Sequence, residues 1–227
     1  MSERLLQFSI VIIAADHNPT ILNPDFLRMQ GIVPEDWGWE LASPPIVTPP
    51  FASVQYESGV SLSVESNKLQ IADTKTTEPT ESKITEIAKQ YVKVVPHVRY
   101  TAVGINYRSA IEVENADTYL KSQFLKKGPW NSDDNPMNSV GLNFVYPAES
   151  GRLVLSIDSG TVSDTSSSTE QKQSVIIANA NFNRDLDLSK MPTSGQVSDC
   201  LNKNSSDWQR YNEILTRMLP IEQRQSA

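Results

Sequence analysis

The sequence predicts an α+β fold built as a tandem duplication of a β-α-β-β-β-α unit. The first observation is a repeated order of elements: an apolar strand, a short helix and a turn that carries Trp37, and then the same series around Trp130. The second observation is the number of residues that separates corresponding positions of the two copies. Phe26 and Phe124, in the Phe-Leu pairs that end the two helices, are 124 − 26 = 98 residues apart. Solenoid repeats have periods of roughly 20–50 residues, so this spacing indicates a duplicated domain.

The repeat divides the chain into a first unit at residues 1–95, a second unit at residues 96–220 and a tail at residues 221–227. Strands joined by short turns must pair antiparallel. The long helix of each unit can cover one face of its sheet and leave the other face open. We therefore expect one curved antiparallel sheet of about eight strands, with the helices on one face.

The first unit begins with an apolar strand at residues 6–14. Asn23, Pro24 and Asp25 predict a helix start, because asparagine caps, proline suits the first turn and aspartate complements the helix dipole. The proline-rich residues 32–50 predict extended coil, since proline lacks an N–H donor. Three strands and a helix complete the unit, at residues 51–57, 60–66, 68–73 and 82–93.

The second unit begins with a strand at residues 98–108, and a helix follows from Asn115 or Asp117. Serine and threonine dominate residues 159–171, which predicts a loop, because such a segment cannot bury a core. The other elements are three strands, a turn of helix and a final helix capped by Ser206 and Asp207: residues 140–146, 152–158, 173–183, 197–201 and 208–219.

Residues 5–15 form an apolar run that has two interpretations. It resembles the core of a signal peptide with a cleavage site. Two observations argue against a signal peptide. Glu3 neutralises the positive charge of Arg4, and Gln7 and Ser9 interrupt the apolar run with the two-residue alternation of a strand. We predict a retained strand, with a signal segment as the alternative. The run is shorter than the roughly 20 residues that span a bilayer.

Composition limits the classes of partner. The chain has 227 residues, a net charge of −7 and a pI near 4.9. Nucleic acids and anionic membranes both require a positive surface, so we expect neither as a partner. The single cysteine, Cys200, excludes an intramolecular disulfide and fits the reducing cytoplasm.

Chemistry-bearing motifs are weak in this sequence. His17 and His97 are the only histidines, and neither has a second ligand at metal-site spacing. There is no glycine-rich phosphate loop and no Gly-x-Ser-x-Gly motif. A nucleophilic Cys200 would need a neighbouring cation or base to lower its pKa. The sequence therefore predicts no catalytic, cofactor-binding or metal-binding residue and favours a non-enzymatic function, without excluding an enzyme.

Each unit carries a carboxylate pair beside a tryptophan: Glu35-Asp36 before Trp37, and Asp133-Asp134 after Trp130. Converged, partly buried carboxylates could share a proton or hold a cation. The alternative is that the acids are solvated and each tryptophan anchors its loop on the sheet. We favour the second interpretation, because tryptophan is mostly buried and loop acids are common.

The proline-rich coil supplies the candidate interaction surface, formed by Trp37, Trp39, Ile46 and Val47. Exposed apolar and tryptophan side chains mark contacts with partners. We therefore predict a binding or protein-interaction protein with a protein partner, assembled most simply as a twofold homodimer. The alternative is a small-ligand carrier or an enzyme with a site in the cleft between the units. Ser53, Gln55, Ser61 and Ser63 alternate with apolar residues and predict a polar second face of the sheet.

The predicted order of elements resembles the duplicated saddle of the TATA-binding-protein class. That resemblance implies the fold alone, because no motif of the class is present and the acidic charge argues against its DNA function. In addition, residues 18–27 and 100–107 resemble segments of uncharacterised bacterial proteins, cyanobacterial ones included. This second resemblance covers most of the chain and implies no activity or functional residue.

Overall fold

A computed structural model describes residues 2–131, 134, 136–164 and 171–219. Within these residues lie nine strands: β1 Glu3–Ala14, β2 Ile46–Val47, β3 Phe51–Gln55, β4 Val60–Glu65, β5 Lys68–Asp73, β6 Tyr100–Glu112, β7 Leu142–Ala148, β8 Gly151–Asp164 and β9 Gln171–Asp185. The same residues form five α-helices: α1 Pro24–Met29, α2 Ile84–Val94, α3 Ala116–Phe124, α4 Ser194–Leu201 and α5 Asn204–Met218. The predicted α+β class is therefore confirmed.

All nine strands belong to one antiparallel sheet with the order β2-β3-β4-β5-β1-β6-β9-β8-β7. The two halves meet where β1 pairs with β6. Moving outward from this pair, the first half runs β1-β5-β4-β3-β2 and the second runs β6-β9-β8-β7. Each half thus places its first strand beside its last, but the edge strand β2 has no counterpart among the described strands of the second half.

The N-terminal apolar run forms the strand that its alternation predicts. Strand β1 lies in the middle of the sheet, with β5 on one side and β6 on the other. Its side chains Phe8, Ile10 and Ile12 are fully buried. Among the residues that the structure describes, no helix combines the length and the apolar character needed to cross a membrane.

The core lies between one face of the sheet and the helices. Tyr107, on β6, stands near its centre: the Tyr107 ring centroid is 5.5 Å from that of Phe8, 5.1 Å from that of Trp208 and 5.6 Å from that of Tyr211. The Tyr107 hydroxyl donates to the backbone oxygen of Asn204 at 2.9 Å. Helix α5 is thereby held against the sheet by stacked rings and by a buried hydrogen bond.

The predicted cap of the last helix is wrong. Helix α5 begins at Asn204, before Ser206, and its N-terminus has no side-chain cap. Asp207 lies inside the first turn and is 5% exposed. Arg184 of β9 donates two hydrogen bonds to this carboxylate, at 2.7 and 2.8 Å. Asp207, which the local sequence predicts to be a helix cap, therefore forms an ion pair with a distant strand residue.

The predicted loop at residues 159–171 is also partly wrong. Strand β8 continues to Asp164, and its pairing with β9 runs without a register shift from Asp158↔Ile177 to Asp164↔Gln171. Backbone hydrogen bonds with a long neighbouring strand extend the ladder although few side chains there are apolar. Residues 165–170 of the predicted loop lie outside the described residues.

Candidate binding site on the open sheet face

The second face of the sheet carries no helix among the described residues, and polar side chains cover its centre. Their alignment follows from the strand register. One row crosses five neighbouring strands and consists of Gln7, Arg108, Asn179, Ser156 and Asn143. Because side chains alternate between faces, neighbours of this row such as Phe8, Tyr107 and Ala178 point into the core. The four residues on which the sequence predicts a polar second face, Ser53, Gln55, Ser61 and Ser63, lie on this same face and are exposed or half-buried, so the prediction is confirmed.

A second row lies two residues further along the strands. It consists of Ser9, Asn106, Asn181, Val154 and Val145. Strand β9 contributes Asn179, Asn181 and Asn183 at alternate positions, so three carboxamides follow one another along a single strand. The open face thus changes from amides at its centre to two valines towards the outer strand β7.

A depression of about 360 Å³ lies where these rows cross the centre of the sheet. Its lining includes Gln7 and Ser9 of β1, Asn106 of β6, and Asn179 and Asn181 of β9. Strand β1 belongs to the first half of the chain, and β6 and β9 belong to the second. The depression therefore spans the junction between the halves.

The carboxamides of the depression have unused hydrogen-bonding capacity. The Nδ2 group of Asn179 donates to Ser156 Oγ at 3.3 Å, and that of Asn106 donates to the Ser9 carbonyl at 3.4 Å. The exposed carboxamide of Asn181 makes no hydrogen bond to any residue that the structure describes. An amide offers both donors and an acceptor, so this cluster can bind groups of either kind.

Gly104 shows that two of the carboxamides converge. A Cβ atom at Gly104 would lie 3.7 Å from Asn106 Nδ2 and 3.8 Å from both Asn181 Nδ2 and Asn181 Oδ1. The two amides therefore surround the space above this glycine. Because Gly104 has no side chain, the two amides can lie close to its buried backbone.

The asparagines of the site have few charged neighbours, and the nearest ones are two arginines. Arg108 is the one charged residue in the lining of the depression, and it is exposed. Arg152 of β8, opposite Asn183, is exposed as well. Neither guanidinium forms an ion pair with a described residue. Two cations are thus available beside the asparagines. The exposed carboxylates of Asp158 on β8 and Asp185 on β9 lie further out on the same face.

The tryptophans of the predicted interaction surface lie elsewhere, on the helix side of the sheet. The Trp39 ring centroid is 4.9 Å from that of Trp37 and 5.5 Å from that of Tyr56. Lys83 Nζ lies 5.6 Å from the Trp37 ring centroid. Both tryptophans are half-buried against the core. This packing gives them a structural role beside any contact they make.

Ile46 and Val47 form the edge strand β2 and are 53% and 43% exposed. Consecutive strand residues point to opposite faces. Ile46 pairs with Ser53, on the open face, whereas Tyr56 beside Trp39 is on the core side. The structure therefore separates Ile46 from the tryptophan rings, and the four predicted residues do not form one continuous surface.

The two tryptophan turns that the sequence relates differ in burial. Trp130 is 49% exposed, so the prediction that it anchors its loop by burial is wrong. Its ring lies over Gly128, where an added Cβ would collide with it. Glu35, Asp36 and Asp134 are exposed and fit solvated loop acids. Asp133 lies outside the described residues.

The two histidines occupy different surroundings. His17 is 6% exposed, and its Nε2 atom lies 3.3 Å from the Ile12 carbonyl oxygen. Its Nδ1 atom has no hydrogen-bond partner in the described part of the chain. Burial lowers the pKa of His17 below 6.5, although the Ile12 carbonyl acts in the opposite direction. His97 is exposed and lines a separate cavity of about 560 Å³.

The described residues form no candidate metal centre, and their one cysteine lacks the features of a reactive thiol. They contain no group of three or more His, Cys, Asp or Glu side chains that could hold a metal ion. Burial raises the pKa of the Cys200 thiol, while the charge of Arg184 acts in the opposite direction. A thiol with a raised pKa is a poor nucleophile at neutral pH.

Sequence reasoning missed the amide cluster, although a signal for it exists. Asn179, Asn181 and Asn183 alternate with Ala180 and Phe182, which is the pattern of a strand with one polar face. The neighbours of these asparagines on β6 and β8 depend on register between strands far apart in sequence. No protein-family model matches the chain, and no curated protein matches its sequence.

Proposed function

We propose that this chain is a non-enzymatic binding protein whose ligand lies on the open face of the sheet. The observation that carries the proposal is the cluster of carboxamides with unused hydrogen-bonding capacity, centred on Asn106 and Asn181, in a depression between the two halves. We place the protein in the cytoplasm, because its single cysteine fits a reducing compartment.

The chemistry of the lining favours binding over catalysis. Asparagine, glutamine and serine donate and accept hydrogen bonds but do not exchange protons near neutral pH. General acid–base catalysis needs a group whose pKa lies near the working pH. The described lining of the depression contains no histidine, carboxylate, cysteine or lysine. The proposal therefore assigns recognition to this face and no chemical step.

A small-ligand carrier is the second candidate, because the depression spans the junction between the halves. Its volume of about 360 Å³ falls within the roughly 300–1,000 Å³ of small-molecule sites. Such sites are predominantly apolar and enclose most of the ligand, whereas this depression is shallow and polar. An extended ligand that lies along the asparagines of β9 matches the face better.

Photo-cross-linking in an extract of the native host tests the proposal. A benzoylphenylalanine at Val145, which is 65% exposed and pairs with Val154 at the margin of the depression, reports on the open face. The control carries the same group at Gln209, an exposed residue of α5 on the opposite side of the sheet. We expect adducts at position 145 alone, and their loss when Asn106 and Asn181 are both changed to alanine.

The masses of the adducts separate the two candidates. An increase of a few hundred daltons would indicate a small-ligand carrier, whereas a polymer would give a much larger product. Equal labelling at positions 145 and 209, or labelling that survives the double alanine change, would contradict a binding role for the open face.

A further inference from the structure

We infer that the ligand of the open face is an extended peptide segment that lies along β9, with its backbone on Asn179, Asn181 and Asn183. The inference rests on the proposed binding function and adds the chemical class of the ligand. It follows from three features of the face: the spacing of the asparagines, the chemistry of their amides and the position of the flanking residues.

Spacing is the first step. Side chains on one face of a strand recur every second residue, which is about 6.6–6.8 Å. In an extended peptide the N–H and C=O of one residue point to the same side, and those of the next residue point to the other. Its backbone groups therefore recur on one side with the same period. Asn179, Asn181 and Asn183 lie at this spacing.

Amide chemistry is the second step. A carboxamide presents one acceptor and two donors, so it can accept from a peptide N–H and donate to the C=O of the same residue. The carboxamides of Asn181 and Asn183 make no hydrogen bond to another described residue, and that of Asn179 makes one, to Ser156. Three asparagines can thus pair with three alternate residues of an extended chain, whatever its side chains are.

The flanking residues give the third step, because they select side chains of the peptide. On the β8 side, Val154 lies beside Asn181 and Arg152 beside Asn183. On the β6 side, Arg108 lies beside Asn179. The peptide residues that face the asparagines point their side chains to one side, and the intervening residues point theirs to the other. The face therefore fits an apolar residue in the middle and an acidic residue towards each end.

Charge and ring content argue against a nucleic acid. The chain carries a net charge of −7, and the site offers the two guanidinium groups of Arg108 and Arg152. A polyanion needs many such contacts. Single-stranded nucleic acids also stack their bases on aromatic side chains. The aromatic residue in the described lining, Tyr107, has its ring packed against Phe8 and Tyr211 in the core.

Titration by nuclear magnetic resonance tests the inference, because side-chain amides give their own signals. The probe is the blocked peptide Ser-Glu-Val-Ser-Glu, added to the ¹⁵N-labelled full chain. We expect it to shift the side-chain amide signals of Asn179, Asn181 and Asn183, with a Kd of about 1 mM or tighter. The lysine analogue Ser-Lys-Val-Ser-Lys should bind at least about tenfold more weakly, because its cations would face Arg108 and Arg152.

Variants locate the contact. Asn181→Ala and Arg108→Met should each weaken binding of the probe about tenfold, because each removes hydrogen bonds to it. Gln209→Ala removes a carboxamide from the helix side and should leave the affinity unchanged. Asn181→Asp keeps the shape but repels the glutamates, and should weaken binding at least as much. Thermal unfolding of each variant shows that it is folded.

Further outcomes separate this inference from the proposed function. A probe methylated at the valine nitrogen lacks the donor that faces Asn181, and unchanged affinity would overturn the backbone contact. If linear maltohexaose, and not the peptide, shifts the Asn106 and Asn181 signals, the peptide is the wrong class and the binding face stands. If neither probe shifts them and position 145 forms no adduct, both proposals are wrong.

Discussion

Arg184 and Asp207 form a buried ion pair with two parallel hydrogen bonds, Nη1 to Oδ2 at 2.8 Å and Nη2 to Oδ1 at 2.7 Å. The two residues are 4% and 5% exposed. Arg184 belongs to β9 and Asp207 to α5, so the pair joins the sheet to the last helix. Because Arg184 lies between Asn183 and Asp185 on the same strand, it also fixes the face to which the asparagines of β9 point.

We predict that Asp207→Ala lowers the free energy of unfolding by about 3–5 kcal/mol, because it leaves a guanidinium buried without a partner. Asp199, an exposed aspartate on α4, provides the matched control. Urea unfolding of the two alanine variants measures the difference. A loss below about 1 kcal/mol at Asp207 would show that water reaches Arg184.

The double variant Arg184→Met, Asp207→Leu extends this comparison. Replacing a buried ion pair by apolar residues of similar volume is often neutral or stabilising. We therefore expect the double variant to regain most of the stability that Asp207→Ala loses. A double variant as unstable as the single one would contradict an account based on unpaired charge.

We predict that His17 makes the protein less stable as the pH falls. Burial lowers its pKa in the folded state below 6.5, so the unfolded chain binds a proton that the folded chain does not. Stability is therefore lost as the pH falls from about 6.5 towards the folded pKa. His17→Phe should flatten this dependence between about pH 7 and about pH 5, measured by urea midpoints. His97→Phe, at the exposed histidine, should behave as the unmodified chain does.

We predict that the buried Trp208 contributes more to the stability of the protein than the half-exposed Trp130 does. Iodide should quench Trp130 more strongly than Trp208. Trp208 is 8% exposed and packs on Tyr107 and Tyr211. Trp208→Ala should lower the free energy of unfolding by about 3–5 kcal/mol, as expected for a buried aromatic ring. Trp130→Ala, at a half-exposed ring, should change it by less than about 1 kcal/mol. Iodide should quench the protein less when Trp130 becomes phenylalanine, with the half-buried Trp37 and Trp39 giving the remainder, and no such decrease should follow Trp208→Phe.

We predict a twofold homodimer that uses the edge strand β2. Ile46 and Val47 are exposed there, and exposed apolar edges tend to pair or to be covered. Ile46→Lys should shift the mass measured by light scattering to the monomer value of 25.3 kDa. Met29→Lys, at a residue that is 78% exposed on α1, is the control. A monomer throughout the micromolar range would contradict the prediction. It would indicate that the proline-rich coil at residues 32–50 packs on its own domain.

Local patterns predicted the elements whose determinants are local. The cap at Asn23 is as expected, because its side chain accepts from the Phe26 N–H at 2.9 Å. The strand at residues 68–73 is likewise found at Lys68–Asp73. Both signals lie within a few residues of the structure they specify, so the order of elements and the fold class could be predicted.

Features that depend on distant partners could not be predicted. The partner of Asp207 is 23 residues away, and no local pattern distinguishes it from a helix cap. Strand β8 extends to Asp164 because β9 continues beside it. The amide cluster requires the register of β6 with β9, since only this places Asn106 opposite Asn181. The candidate site is therefore a product of strand pairing.

Because β1 pairs with β6 at the centre of the sheet, one edge of β1 stays unpaired for part of the synthesis of the nascent chain. Strand β5 ends at Asp73 and β6 at Glu112, so one edge of β1 stays unpaired until 112 − 73 = 39 more residues are made. At roughly 5–20 residues per second the ribosome needs about 2–8 s for this. During that interval an apolar strand edge is exposed, and strands of other chains can add to it. Nascent chains stalled between these two points should therefore be the ones that chaperones hold.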